Sequence, residues 1–174
     1  MRLFFALEPN RENAVDIANW RDRQFPGAGR PVPMANLHIT LAFLGEISHQ
    51  RLEQLCLAVD DYLRRHPAGD FTLELDQLGY WPKPQILWLG PSHWPDALNQ
   101  LAAGLAQLGT AVGARRKRGA FQPHITLLRG CELAPAAPAA PPLFSQQYRD
   151  FALLESRQGR NGVSYHPLAN WALL

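Results

Sequence analysis

The sequence is poor in cysteine and contains no long apolar segment. Its 174 residues include two cysteines, Cys56 and Cys131, which are too few for a disulfide framework or for a zinc site built from cysteine alone. No apolar run approaches the roughly 20 residues that cross a bilayer. Residues 1–7 are followed at once by Glu8 and Pro9, so we expect a first strand there and not a secretory signal. These absences predict reduced thiols, a cytoplasmic location and no membrane association.

Charge is also scarce. Charged residues make up 18% of the chain and the net charge is +2, which is too small to indicate a nucleic-acid partner by itself. Lysine occurs only as Lys83 and Lys117, so nearly all the cations are guanidinium groups, the better bidentate ligands for phosphate. The hydrophobic fraction of 47% is that of an ordinary globular protein, and the length predicts one domain or two closely packed lobes.

The tetrapeptide His-Ile-Thr-Leu is present twice, beginning at His38 and again at His124. Side chains alternate between the two faces of a strand, so His38 and Thr40 lie on one face, and His124 and Thr126 do the same in the second copy. Two such strands side by side would gather two imidazoles and two hydroxyls. We expect this combination to carry out proton transfer at a bound phosphate.

Hydrophobic periodicity and capping signals predict a similar order of elements in the two halves of the chain. Strands and helices alternate in the first half over residues 3–7, 10–24, 37–45, 48–65 and 71–75. The second half repeats strand, helix and strand over residues 85–90, 94–108 and 121–128. An Ala/Pro-rich extended loop and two closing strands follow over residues 134–142, 148–154 and 164–173. We interpret the pattern as an internal duplication, roughly 1–84 and 85–174, within a single domain of residues 1–174.

With these flanks, the duplicated motif resembles the two-histidine phosphoesterase superfamily, and within it the RNA 2′,3′-cyclic phosphodiesterases, which are also called 2′-5′ RNA ligases. The matching segments occur in order over nearly the whole chain, at residues 4–7, 38–46, 87–90, 123–129, 155–157 and 165. The resemblance implies an α+β fold in which two pseudo-symmetric lobes with antiparallel-rich sheets line a central cleft, with the helices outside. The Ala/Pro-rich loop departs from the family's pattern.

The resemblance also implies an enzyme that hydrolyses a terminal 2′,3′-cyclic phosphate on an RNA or oligonucleotide to a 2′-phosphate. His38 would be the proton donor and His124 the proton acceptor, with Thr40, Thr126 and Arg129 binding the phosphate. One neutral and one protonated imidazole can coexist near neutral pH, because histidine titrates near pH 6.5. Arg129 lies at an odd offset from His124, so the strand must bend to bring it to the cleft.

Neither a metal nor a nucleotide cofactor is expected, because the sequence has no His/Cys ligand spacing, no acidic cluster and no glycine-rich phosphate loop. We expect a monomer. Two alternatives to hydrolysis remain open: reversible 2′-5′ ligation, and an RNA-end-binding module in which the histidines only hold phosphate.

Several residues have two interpretations. The basic run 115–118 is equally compatible with a solvated loop and with contact to an RNA backbone. We expect Phe43 in the core, Phe5 in the core in preference to a base-stacking role, and Tyr165 outside the cleft in preference to lining it. Cys56 is expected in the core. The remaining histidines have no motif around them and are expected on the surface: His49, His66, His93 and His166.

Overall fold

The computed structural model describes residues 1–173, in which ten strands, three α-helices and one short 3₁₀ helix are found. The strands are β1 (Arg2–Leu7), β2 (Arg30–Pro31), β3 (Ile39–Glu46), β4 (Phe71–Leu75), β5 (Gln77–Trp81), β6 (Ile86–Gly90), β7 (Ile125–Arg129), β8 (Phe144–Tyr148), β9 (Asp150–Gly159) and β10 (Gly162–Ala172). The helices are α1 (Arg11–Gln24), α2 (His49–Arg65) and α3 (Asp96–Ala111), and the 3₁₀ helix covers Met34–Asn36. No helix in this part of the chain is long and apolar enough to cross a membrane.

The helices begin and end close to the positions that the sequence predicts. The Asn10 side chain caps α1 by accepting a hydrogen bond from the Asn13 N–H at 2.8 Å. Ser48 occupies the N-cap of α2, but its hydroxyl makes no capping hydrogen bond to the described residues. In α2 the predicted apolar stripe faces inward, with Leu55 and Val59 buried. The apolar face of α2 therefore belongs to the core.

Eight strands form one antiparallel sheet in the order β10-β9-β1-β3-β7-β6-β5, with β2 paired to β7, and β4 and β8 form a separate two-stranded ribbon. The α+β class with antiparallel-rich sheets is thus confirmed. The strands β3 and β7 meet at a single residue pair, Ile39 opposite Ile125, and both side chains are fully buried. This pair joins two parts of the sheet. We call β10-β9-β1-β3 the first lobe, and β7-β6-β5 with β2 the second lobe.

The two lobes share a strand-helix-strand unit, β1-α1-β3 in the first and β6-α3-β7 in the second. The two lobes are nevertheless not separate halves of the chain, because each contains a strand from the other half. Strand β1 is flanked by β9, which comes late in the sequence, and β6 is flanked by β5, which comes early. Helix α3 packs on β3 of the first lobe and against α2. One continuous apolar core therefore serves both lobes, including Leu3, Ile39, Leu89, Leu98 and Ile125.

Three features differ from the sequence prediction. The predicted strand 148–154 is split between two sheets, because β8 ends at Tyr148 and β9 begins at Asp150. Strand β5 was not predicted; it follows β4 after one residue and contains a central glycine, which weakens the strand signal. The motif strands begin at Ile39 and Ile125, one residue after their histidines. The Ala/Pro-rich loop has no helix or strand, as predicted, and its residue 140 carbonyl accepts a hydrogen bond from the Trp20 indole at 2.9 Å.

Candidate active site

The four side chains of the two motifs lie together in one cleft. His38 and His124 immediately precede β3 and β7, where the buried isoleucine pair joins the lobes. Because the two strands are antiparallel, continuing this register places His38 opposite Thr126 and Thr40 opposite His124. All four residues line a cleft of about 810 Å³ between the lobes. The strand alternation that was read from the sequence therefore brings two imidazoles and two hydroxyls to one place.

Backbone carbonyls orient both imidazoles in the same way. Nδ1 of His38 lies 2.8 Å from the carbonyl oxygen of Asn36, and Nδ1 of His124 lies 2.7 Å from that of Gln122. A carbonyl oxygen only accepts, so Nδ1 carries the hydrogen in each ring and Nε2 is left for chemistry. Nε2 of His38 lies 2.9 Å from the Thr40 hydroxyl, which donates to it. Both rings thus have the tautomer that exchanges protons through Nε2.

Aromatic rings enclose the imidazole of the first lobe. The Phe4 ring lies 4.9 Å from the His38 ring between centroids, and the Tyr165 ring lies edge-on at 5.1 Å. Tyr165 lines the cleft, so the expected position outside it was wrong. Phe5, on the opposite face of β1, is fully buried, which confirms its core position and excludes a base-stacking role. Aromatic packing on two sides fixes the ring and removes water from it.

A second aromatic set, which the sequence analysis missed, packs against the other imidazole. The His124 ring centroid lies 4.7 Å from that of Trp81 and 5.9 Å from that of Trp88. The Trp88 indole lies over Gly79, where a Cβ atom would fall 2.0 Å from the ring, so only glycine fits there. The sequence alone does not reveal this contact. Trp88 lies beside the second motif because β6 pairs with β7, and that pairing is known only from the structure.

Burial sets the titration of both histidines. The pKa of His38 is lowered from 6.5 to about 4, mainly by burial and in smaller part by nearby His124 and Arg129, against the opposing effect of the Asn36 carbonyl. Burial also lowers the pKa of His124, and the charges of Lys117 and Arg129 add to the decrease. Both imidazoles of the free protein are therefore neutral at pH 7.

A β-bulge brings Arg129 to the cleft. The pairing of β7 with β6 skips one residue, Leu127, between Thr126 and Leu128. One extra residue reverses the alternation of faces beyond it, so Arg129 lies on the same side as the imidazole and lines the cleft. The bend that the sequence required is thus a local insertion in the strand.

An equivalent bulge in β3 moves Phe43 out of the core. The pairing of β3 with β1 skips Leu41 between Thr40 and Ala42. The side chain of Phe43 is then directed to the cleft, which it lines, and 45% of its surface is exposed. The core position predicted for Phe43 was therefore wrong, because strict alternation does not survive the bulge.

The cleft is positively charged. Its lining contains four cations and no aspartate or glutamate: Arg2, Arg30, Lys117 and Arg129. Arg30 lies directly opposite Arg129 in the pairing of β2 with β7, and within residues 1–173 neither makes a salt bridge. Two like charges on directly opposite residues of paired strands repel and lower stability. An anion bound between the two guanidinium groups would offset this repulsion. The sequence analysis missed Arg30 because nothing beside it in the chain marks a site.

Apart from Lys117, the remaining candidates lie outside the cleft. In the basic run 115–118 all four side chains are exposed, and only Lys117 lines the cleft. Cys56 is half-buried against the core. His49, His66 and His93 are exposed as predicted, and His166 is half-buried on β10. Among the described residues, no three His, Cys, Asp or Glu side chains are grouped so that they could hold a metal ion.

Comparison with known proteins places this geometry in a family. A model described as the 2′-5′ RNA ligase superfamily matches residues 9–155. The chain is 41% identical over 175 residues to the RNA 2′,3′-cyclic phosphodiesterase of Escherichia coli (strain K12), covering 99% of this chain and 96% of the relative. Its identity to the Thermus thermophilus protein of the same name is 32%, covering 99% and 90%. The solved structure of E. coli LigT complexed with 3′-AMP matches with a TM-score of 0.87 at 40% identity, covering 98% of this chain and 97% of that one.

Proposed function

Because the chain belongs to the 2′-5′ RNA ligase superfamily, we propose that it is an RNA 2′,3′-cyclic phosphodiesterase. In this role it hydrolyses the cyclic phosphate at the end of an RNA or oligonucleotide to a 2′-phosphate. The observation that carries the proposal is the pair of imidazoles held in one cationic cleft by equivalent carbonyl contacts, each with Nε2 left for proton transfer. Such a pair can serve one phosphorus atom as base and as acid.

The cleft binds the charged oxygens of the cyclic phosphate. The hydroxyl of Thr126 donates a hydrogen bond to a non-bridging oxygen, and that of Thr40 does the same once Nε2 of His38 carries a proton and no longer accepts from it. The guanidinium of Arg129 neutralises the charge of these oxygens. Arg30, directly across the ladder from Arg129, adds a second cation on the same side. These contacts strengthen as negative charge builds up on the equatorial oxygens, which is the main electrostatic contribution in phosphoryl transfer.

The two imidazoles move the protons. Nε2 of His124 takes a proton from a water molecule, whose oxygen forms a bond to phosphorus as the bond from phosphorus to the 3′-oxygen breaks. His38 donates a proton from Nε2 to the departing 3′-oxygen, so the product carries a 2′-phosphate and a free 3′-hydroxyl. The substrate anion raises the pKa of the buried His38 ring, because it offsets the cations and the burial that keep this ring neutral in the free protein. The proposed acid role of His38 therefore requires that substrate binding raise its pKa enough for the ring to carry a proton.

Hydrolysis of a short RNA ending in a 2′,3′-cyclic phosphate, assayed in EDTA, tests the proposal. We expect conversion to the 2′-phosphate, and losses of about 10²- to 10⁴-fold in kcat for His38→Ala and for His124→Ala. The double variant should lose little more than either single one, because the pair acts as a unit. His93→Ala, an exposed histidine outside the cleft, is the matched control and should keep full activity.

Full activity in either cleft variant, or activity that EDTA abolishes and a divalent ion restores, would contradict the two-histidine mechanism. An intact ring would favour a binding module, and a joined product would favour ligation. A substrate with sulfur at the bridging 3′ position needs no protonation of the leaving group. It should therefore restore His38→Ala and not His124→Ala, and the reverse pattern would exchange the two roles.

A further inference from the structure

Asn36 connects the imidazole of the first lobe to the edge strand of the sheet. Its backbone carbonyl accepts the hydrogen bond from Nδ1 of His38 at 2.8 Å, while its side-chain Nδ2 donates to the carbonyl oxygen of Val163 at 2.9 Å. Val163 lies on β10, and both β9 and β1 lie between β10 and β3 in the sheet, so strand pairing does not produce this contact. We call the hydrogen bond from Asn36 to Val163 the tether, and both of its residues line the cleft.

The tether holds the strand whose tyrosine packs on His38. The rings of His38, Phe4 and Tyr165 are in mutual contact, with centroid separations of 4.9, 5.0 and 5.1 Å. Tyr165 follows Val163 by two residues on β10, at the end of a hairpin whose residues 157–164 are all exposed. Movement of this end of the hairpin would withdraw the Tyr165 ring from His38 and admit water to the imidazole. The tether restrains that movement.

The imidazole of the second lobe has no equivalent tether among the described residues. The Gln122 carbonyl orients His124 as the Asn36 carbonyl orients His38, but the Gln122 side-chain amide donates only to the carbonyl of the adjacent Pro123, at 3.2 Å. The restraint is therefore specific to His38. A general acid needs its proton within hydrogen-bond reach of the leaving oxygen, so the position of this ring affects the rate directly.

We propose that Asn36 is a positioning residue for the acid step, which keeps the His38 ring in place by fixing the β9–β10 hairpin to the 3₁₀ helix Met34–Asn36. The inference rests on the function proposed above, with His38 as the acid. The carbonyl that orients His38 belongs to the backbone and is kept in every variant of Asn36. A side-chain substitution therefore removes the tether and leaves the carbonyl contact available.

Two leaving groups test the tether. For an RNA with an ordinary 2′,3′-cyclic phosphate, we expect Asn36→Ala to lower kcat about 10- to 100-fold with little change in KM, because a misplacement of roughly 1 Å can cost 10²-fold. The same RNA with sulfur at the bridging 3′ position needs no proton from His38, so the variant should match the wild type. Asn13→Ala is the matched control, because Nδ2 of Asn13 donates to the Ser145 carbonyl at 2.9 Å outside the cleft lining. Equal losses on both substrates, or none on either, would overturn the inference.

NMR titration of the free protein separates this inference from the hydrolase proposal. Asn36→Ala should raise the pKa of His38 from about 4 toward 6.5, because water reaches the ring, and should leave the pKa of His124 unchanged. The variant keeps the other ionisable groups near His38, which are His124, Arg129 and Tyr165. If the wild-type protein opens no cyclic phosphate, the hydrolase proposal fails, while this selective rise still supports the tether. A His38 pKa that stays the same or falls, or an equal rise at His124, would overturn it.

Discussion

Each imidazole of the cleft is subject to opposing influences. A backbone carbonyl at Nδ1 favours the charged ring, while burial and neighbouring cations favour the neutral one, and the neutral ring prevails in both cases. In the proposed reaction, the neutral ring of His124 can accept a proton at neutral pH. The proposed acid role of His38 requires that the substrate anion raise its pKa, which would couple substrate binding to acid catalysis through the charge of the ligand.

Arg129 should contribute to this titration, although burial is the larger cause. Its charge lowers the pKa of both His38 and His124, so Arg129→Gln should raise both pKa values. NMR titration of the imidazole C–H signals measures them directly, and the acidic limb of the kcat/KM profile should move to higher pH with them. Arg23→Gln, an exposed arginine on α1, is the charge-matched control. Unchanged or lowered imidazole pKa values in Arg129→Gln would contradict the assigned cause.

At the scale of the element, the bulges decide which side chains reach the cleft. The motif positions His38, Thr40, His124 and Thr126 were predictable, because they precede the bulge and simple alternation applies to them. Phe43 was misplaced, because the leucine that bulges looks like any other apolar strand residue. A bulge is defined by the pairing with a neighbouring strand, and one sequence does not specify that pairing. The same limit explains the missed aromatic neighbours of His124.

Strand β5 supports the second imidazole through the contact of Gly79 with Trp88. In Gly79→Ala the new Cβ would fall 2.0 Å from the indole, so the ring must move and disturb His124. We expect a loss of roughly 1–3 kcal/mol in the free energy of unfolding, measured in urea, together with lower kcat. Gly159→Ala, where the nearest atom is 3.5 Å away, is the control. Wild-type stability and activity in Gly79→Ala would show that the indole has room to shift.

For the whole molecule, the half-buried His38 makes stability depend on pH. Its pKa is about 4 when folded and near 6.5 when unfolded, so the unfolded chain binds more protons in this interval. Stability therefore falls as the pH falls from about 6.5 to 4, and His38 should account for about 2 kcal/mol between pH 7 and pH 5. Urea unfolding at both pH values should show a smaller decrease, by about this amount, in His38→Gln. Equal decreases in the two proteins would refute the assignment.

Cations that line the cleft and cations outside it should differ in their effect on short and on long RNA ligands. Lys117→Gln should weaken binding of a dinucleotide and of a longer RNA alike, because Lys117 lines the cleft. Arg116→Gln, in the same exposed run but outside the cleft lining, should weaken only the longer RNA and reduce its salt slope by about 0.7. Salt titrations of Kd on both ligands measure this difference. Equal effects of Arg116→Gln on the two ligands would contradict a backbone contact.

The order of elements followed from periodicity, and we propose that an internal duplication produced the two strand-helix-strand units. The assembly of those units was not predictable, because strands from each half of the chain complete the sheet of the other: β9 flanks β1 and β5 flanks β6. Apolar alternation shows that a strand has a buried face, but it does not identify the strand's neighbours.

This interlocking has a consequence for synthesis. Strand β1 is made before the other described strands, and it receives its second neighbour only when β9 follows more than 140 residues later. Until then one edge of β1 offers unpaired N–H and C=O groups beside fully buried side chains such as Phe5, and such edges pair readily with other chains. Both histidine motifs have been made by that time, but Tyr165, which packs on His38, lies on β10 and comes later still. The cleft is therefore completed by β9 and β10, the last two described strands, and a protein truncated before β9 would carry every motif residue without a finished site.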